Sequence, residues 1–86
     1  MAHGPSNASF TLEEFKKGNG YIKSQTPYCV VEIWKGQQRL AIAAIKEKIV
    51  FDVMKKLEKA TSYKEMDKIM QDTCTLHYWW AGGLFG

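Results

Sequence analysis

The sequence predicts an α+β fold: a small single domain in which a short N-terminal helix, a β-hairpin, two helices and a C-terminal strand build a mainly antiparallel sheet, covered by helices on one face. Three observations predict it. Two capping boxes, Thr11-Leu12-Glu13-Glu14 and Ser62-Tyr63-Lys64-Glu65, each open a helical pattern. Between them Tyr28-Cys29-Val30-Val31-Glu32-Ile33-Trp34 is rich in the β-branched and aromatic residues that suit a pleated surface. At the C-terminal end Thr75-Leu76-His77-Tyr78-Trp79-Trp80 places two tryptophans side by side in a segment that reads as a strand.

Residues 1–9 are small and polar, with Gly4 and Pro5, and are expected to be a disordered leader or an expression remnant; residues 10–86 form the single α+β domain. Thr11 is the N-cap of a helix over Leu12 to Lys17, with Phe10 and Phe15 at the two positions of a hydrophobic staple. Gly18, with Gly20 close behind, reads as its left-handed C-cap. A loop carrying Ser24, Gln25, Thr26 and Pro27 leads to the Tyr28–Trp34 strand, which is apolar on both faces and therefore central.

Lys35-Gly36 makes a tight turn, and pairing across it sets Glu32 opposite Arg39 and Val31 opposite Leu40. The alternative for Arg39-Leu40-Ala41-Ile42-Ala43-Ala44-Ile45 is the start of a long helix running to Ala60, because the segment is rich in alanine. The hairpin is the preferred reading. From Glu47 to Ala60 helical periodicity places Ile49, Val53 and Leu57 on one stripe and Lys48, Asp52, Lys55 and Lys59 opposite, with Phe51 near the edge of the polar side. The second capping box opens a helix whose Tyr63, Met66, Ile69 and Met70 share a face and which stops near Asp72 or Thr73.

Composition narrows the function classes. A chain of 86 residues buries only roughly 60–65% of the surface it exposes when unfolded, so its core is thin and a deep pocket hard to enclose. The net charge of +3 falls short of a dedicated nucleic-acid binder, and Arg39 is the single arginine among twelve basic residues. Cys29 and Cys74 are too few for a disulfide framework and read as buried thiols. With no signal peptide and no stretch of about 20 apolar residues, the expectation is a cytoplasmic protein that does not enter a membrane.

No chemistry-bearing motif stands out. Cys74-Thr75-Leu76-His77 has the spacing of half a zinc site, but Cys29 and His3 are isolated and make a poor second half. Cys29 or Cys74 with His77 lacks the glycine-rich elbow or helix N-terminus that would activate a thiol. Catalytic residues, metal ligands and cofactors are accordingly not expected. Gly82-Gly83 reads as a turn that lets Leu84 and Phe85 fold back or insert into a neighbour.

Aromatic residues remain after the core is filled, and they carry the functional expectation. Alternation puts Leu76, Tyr78 and Trp80 on one face of the last strand and Thr75, His77 and Trp79 on the other, so one tryptophan faces outward, and Trp79 is the better choice. The expected contact surface is Trp79, His77, Phe85, Leu84, Trp34 and Phe51. The leading function is a non-enzymatic interaction protein, a regulator, inhibitor or adaptor, binding a protein partner or a second copy of itself. The alternative is a small nucleic-acid-binding module that uses lysines and stacked aromatics.

Overall fold

The structure, a computed structural model, describes residues 9–25 and 29–80, the side chains of Leu76 and His77 excepted. The described chain runs α1 (Leu12–Lys17), β1 (Gly20–Gln25), β2 (Val30–Lys35), β3 (Gln38–Ile45), a 3-10 turn (Glu47–Ile49), α2 (Val50–Lys59), α3 (Tyr63–Thr73) and β4 (Cys74–Trp80). Its four strands form one antiparallel sheet in the order β1-β2-β3-β4. The α+β expectation holds, and residues 38–45 are strand rather than helix.

Both capping residues work as the sequence implies. The Thr11 hydroxyl accepts from the Glu14 N–H at 3.1 Å, and the Ser62 hydroxyl accepts from the Glu65 N–H at 3.1 Å. The Glu65 carboxylate reaches one residue further back than a capping box requires, accepting from the Thr61 N–H and hydroxyl, both at 2.9 Å. Those two bonds hold Glu65 below its ordinary pKa. The staple forms as well, with the Phe10 and Phe15 rings stacked 5.5 Å apart and Tyr63 closing over both.

Four local expectations need correction. Gly18 is not left-handed, since its φ is −82°; the positive φ of 64° falls on Asn19. Gly20 is required for a different reason: a Cβ there would lie 2.4 Å from the Phe15 ring, so the strand can pass beneath that ring only without a side chain. Gly20–Gln25, whose last two residues Ser24 and Gln25 were expected in a loop, is an edge strand among the described residues. Its core-facing positions are Gly20, Ile22 and Ser24, too polar a set to signal burial. Lastly, the β2–β3 turn is Gly36-Gln37, with φ +62° at Gly36, so Lys35 pairs with Gln38. A bulge then places Leu40 and Ala41 together opposite Ile33, which sets Arg39 beside Trp34 and Ile42 beside Glu32.

The helices lie on one face of the sheet, α2 against β1 and β2, α3 against β3 and β4. Between the layers Val31, Ile33, Leu40, Ala41, Ala43 and Ile45 meet Val50, Val53, Leu57, Met66 and Met70, all buried. The alanines let the helices approach closely, and the two methionines fill the irregular gap beneath α3. Cys74, half-buried, packs at the margin of this core and donates its thiol to the Gln71 carbonyl at 3.4 Å. Ser9, one residue before the expected boundary at Phe10, pairs with Ser62; residues 1–8 lie outside the described residues.

Candidate contact surface on the helix-free sheet face

Strand alternation sends every second side chain of the sheet away from the helices. The antiparallel register then fixes which of these meet. One row across the sheet is Tyr21, Trp34 and Arg39; the next is Lys23, Glu32, Ile42 and Trp79; Gln25, Val30 and Ala44 follow. No helix among the described residues packs on this face.

Glu32 sits at its centre with no exposed surface. A carboxylate taken out of water costs several kcal/mol unless it is paired and hydrogen-bonded, and both conditions are met here. Arg39 Nη1 donates to Oε2 at 3.1 Å, and Gln25 Nε2 donates to Oε1 at 3.1 Å. The Arg39 guanidinium in turn lies 5.9 Å from the centre of the Trp79 ring. One chain of contacts therefore ties Gln25 on β1 to Glu32 on β2, Arg39 on β3 and Trp79 on β4.

A second aromatic unit lies beside it. Tyr21 stacks on Trp34 at 6.0 Å with the rings 9° from parallel, and the Lys23 ammonium lies 5.7 Å from the centre of the same indole. Tyr21 is anchored at its far end by its hydroxyl, which donates to the Gly36 carbonyl at 3.3 Å. The Trp34 indole N–H is buried without an acceptor among the described residues, an arrangement that costs about 1–3 kcal/mol.

The two terminal tryptophans part company. Trp79, opposite Ile42, stands on the helix-free face and is 43% exposed; Trp80, opposite Ala41, turns to the helices and meets Tyr63 edge-on at 6.3 Å. The register changes by two residues between the Ile45–Cys74 and Ala43–Tyr78 pairs. An even shift preserves which face each side chain takes. Tyr78, facing the core, has its pKa pushed up by burial, with the Asp67 carboxylate and Cys74 adding to the effect.

The six residues named from the sequence do not form one patch. Trp34 and Trp79 share the helix-free face, whereas Phe51, 73% exposed, stands on α2 in the opposite layer beside Lys46, Lys48 and Val50. His77 belongs to β4, its side chain outside the described residues, and Leu84 and Phe85 lie outside them altogether. Tyr21, Lys23, Gln25, Glu32 and Arg39 were not grouped from the sequence as one surface. The signal was present in the alternation of Tyr21, Lys23 and Gln25, which became readable only once Gly20–Gln25 was known to be a strand.

Among the described residues no three His, Cys, Asp or Glu side chains cluster in a way that could hold a metal ion, and no helix is long and apolar enough to cross a membrane. Compared with protein-family models, with curated proteins and with solved structures, the chain matches none.

Proposed function

We propose that the chain is a non-enzymatic interaction protein, a regulator, inhibitor or adaptor, that docks on a protein partner through the helix-free face of its sheet. The observation that carries this reading is the Gln25–Glu32–Arg39–Trp79 chain of contacts spanning all four strands on a face that no described helix covers. Tryptophan, tyrosine and arginine are the residue types that dominate binding hot spots, and Trp34, Trp79, Tyr21 and Arg39 gather on this face. Their side chains are held in place before any partner arrives, which lowers the ordering cost of association.

Nucleic-acid binding is the second reading, favoured by the seating of Lys23 and Arg39 against indole rings. It is the weaker one. Tyr21 and Lys23 already occupy the Trp34 ring, and Arg39 lies over Trp79, so a base would have to displace the protein's own side chains before it could stack.

The test is a pull-down from extract of the source cells at physiological salt, with wild-type protein, Trp79→Ala and Phe51→Ala as baits. A protein retained by wild type and Phe51→Ala but lost by Trp79→Ala supports the reading. Retention by all three baits refutes it, and loss on nuclease treatment transfers the function to the second reading.

A further inference from the structure

We infer that the partner meets the helix-free face with an acidic segment, its carboxylates set against Lys23 and Arg39. The inference deepens the protein-contact reading and rests on it. Charge is segregated between the two layers of the fold. Glu32 is the only acidic residue in the four strands, and every other Asp and Glu lies in α1, the 3-10 turn, α2 or α3. Because Glu32 has no exposed surface, what a partner touches on this face is cationic and aromatic: Lys23, Arg39, Tyr21 and Trp79, all exposed.

Neither cation is fully used among the described residues. Among the described residues the Lys23 ammonium has no carboxylate within ion-pair distance and lies only against the Trp34 ring. Arg39 donates through Nη1 to Glu32, which leaves N–H groups on its fork for a second carboxylate. The buried Glu32 supports this role, since it holds the guanidinium over the Trp79 ring, 5.9 Å from its centre, and so restricts the geometry of the remaining donors. A second copy of the chain fits this face poorly. Two such faces brought together would oppose Lys23 and Arg39 of one protomer to those of the other with no exposed strand carboxylate between them. A polynucleotide is the remaining anionic occupant, and the occupied ring faces disfavour it.

Random dodecapeptides displayed on phage, selected on the folded wild-type protein and then assayed individually on wild type and Trp79→Ala, test the proposal. The expected pool is enriched in Asp and Glu alongside an apolar or aromatic residue. Individual peptides from it should lose about tenfold or more in affinity on Lys23→Glu, keep most of it on Lys23→Arg, and be indifferent to Lys55→Glu on the outer surface of α2. A pool that is neutral or basic yet still sensitive to Trp79→Ala overturns the acidic partner and leaves the contact surface standing. A pool indifferent to Trp79→Ala overturns both. Thymidine dodecanucleotide is the parallel probe: binding tighter than the best peptide, lost on Lys23→Glu and falling steeply with salt, overturns the proposal in favour of nucleic acid.

Discussion

Arg39→Met should destabilise this domain far more than Glu32→Gln, although the two residues are partners in one ion pair. Glu32 is fully buried and, among the described residues, its carboxylate is held by Arg39 and Gln25, each at 3.1 Å. Removing one side of a buried pair strands the other charge and costs about 3–5 kcal/mol. The Arg39 side chain is 43% exposed, so its removal admits water to the carboxylate, and the expected loss sits at the low end, about 3 kcal/mol. In a domain of this size that lowers Tm by about 12–24 °C, at about 4–8 °C per kcal/mol. Glu32→Gln removes the charge instead and leaves an acceptor for one of the two donors, so only about 1 kcal/mol should be lost. The double variant then lies near Glu32→Gln, with about 2 kcal/mol recovered relative to Arg39→Met alone. Urea unfolding followed by far-ultraviolet circular dichroism measures all four proteins without depending on the tryptophans. Equal losses from the two single variants, adding in the double, would refute the view that Glu32 is a buried charge clamped by Arg39.

Trp80→Ala should cost about 3 kcal/mol, the low end for a core aromatic because Trp80 is half-buried, whereas Trp79→Ala on the opposite face should cost under about 1 kcal/mol; paired thermal melts decide, and the reverse order would invert the face assignment of β4. Gly20→Ala drives a Cβ into the Phe15 ring and should lose about 1–3 kcal/mol in denaturant, part of it restored by adding Phe15→Leu; a neutral Gly20→Ala would mean that α1 and β1 are not in contact as described. Glu65 is held below its ordinary pKa by Thr61, so its contribution is present above the unfolded-state value and lost as pH falls through the depressed folded-state one. Glu65→Gln should therefore flatten the acid limb of a stability-versus-pH curve, while Asp67, raised by burial, acts in the opposite sense; an unchanged acid limb in Glu65→Gln would show that the Thr61 bonds do not form in solution.

What could be read directly was local. Thr11 and Ser62 announced their helices because a cap is a contact between residues three apart, and Tyr63, Met66, Ile69 and Met70 marked a buried face because helical spacing repeats within a few residues. The division of Trp79 from Trp80 was legible for the same reason, since alternation is a property of a single strand. Registers were not. Whether Arg39 stands opposite Glu32 or Trp34 depends on where a two-residue turn falls and on a bulge at Leu40 and Ala41, and neither leaves a mark in the amino acids themselves. Glu32 shows what that hides. In the sequence it is a polar residue interrupting a hydrophobic strand, and only the joined strands bring Gln25 and Arg39 to its two oxygens.

The size of the chain connects these features. Three short helices suffice to cover one face of a four-stranded sheet, and the core they enclose is lined on the β3 side by Ala41 and Ala43, small residues beneath α3. Among the described residues no further helix covers the other face, where side chains of neighbouring strands lie over β2. Tyr21 over Trp34 and Arg39 over Trp79 set broad, flat groups beside the buried Glu32. A buried charge contributes little net stability against an apolar side chain of similar volume. Its effect is on geometry: Glu32 gives Arg39 one preferred position and, through it, gives Trp79 a neighbour on its ring face. A leucine at that position would shield β2 equally well and leave the guanidinium free to wander. Stability alone therefore does not account for a glutamate at the middle of this face, whereas the proposed contact surface, which would present the same donors to each arriving partner, does.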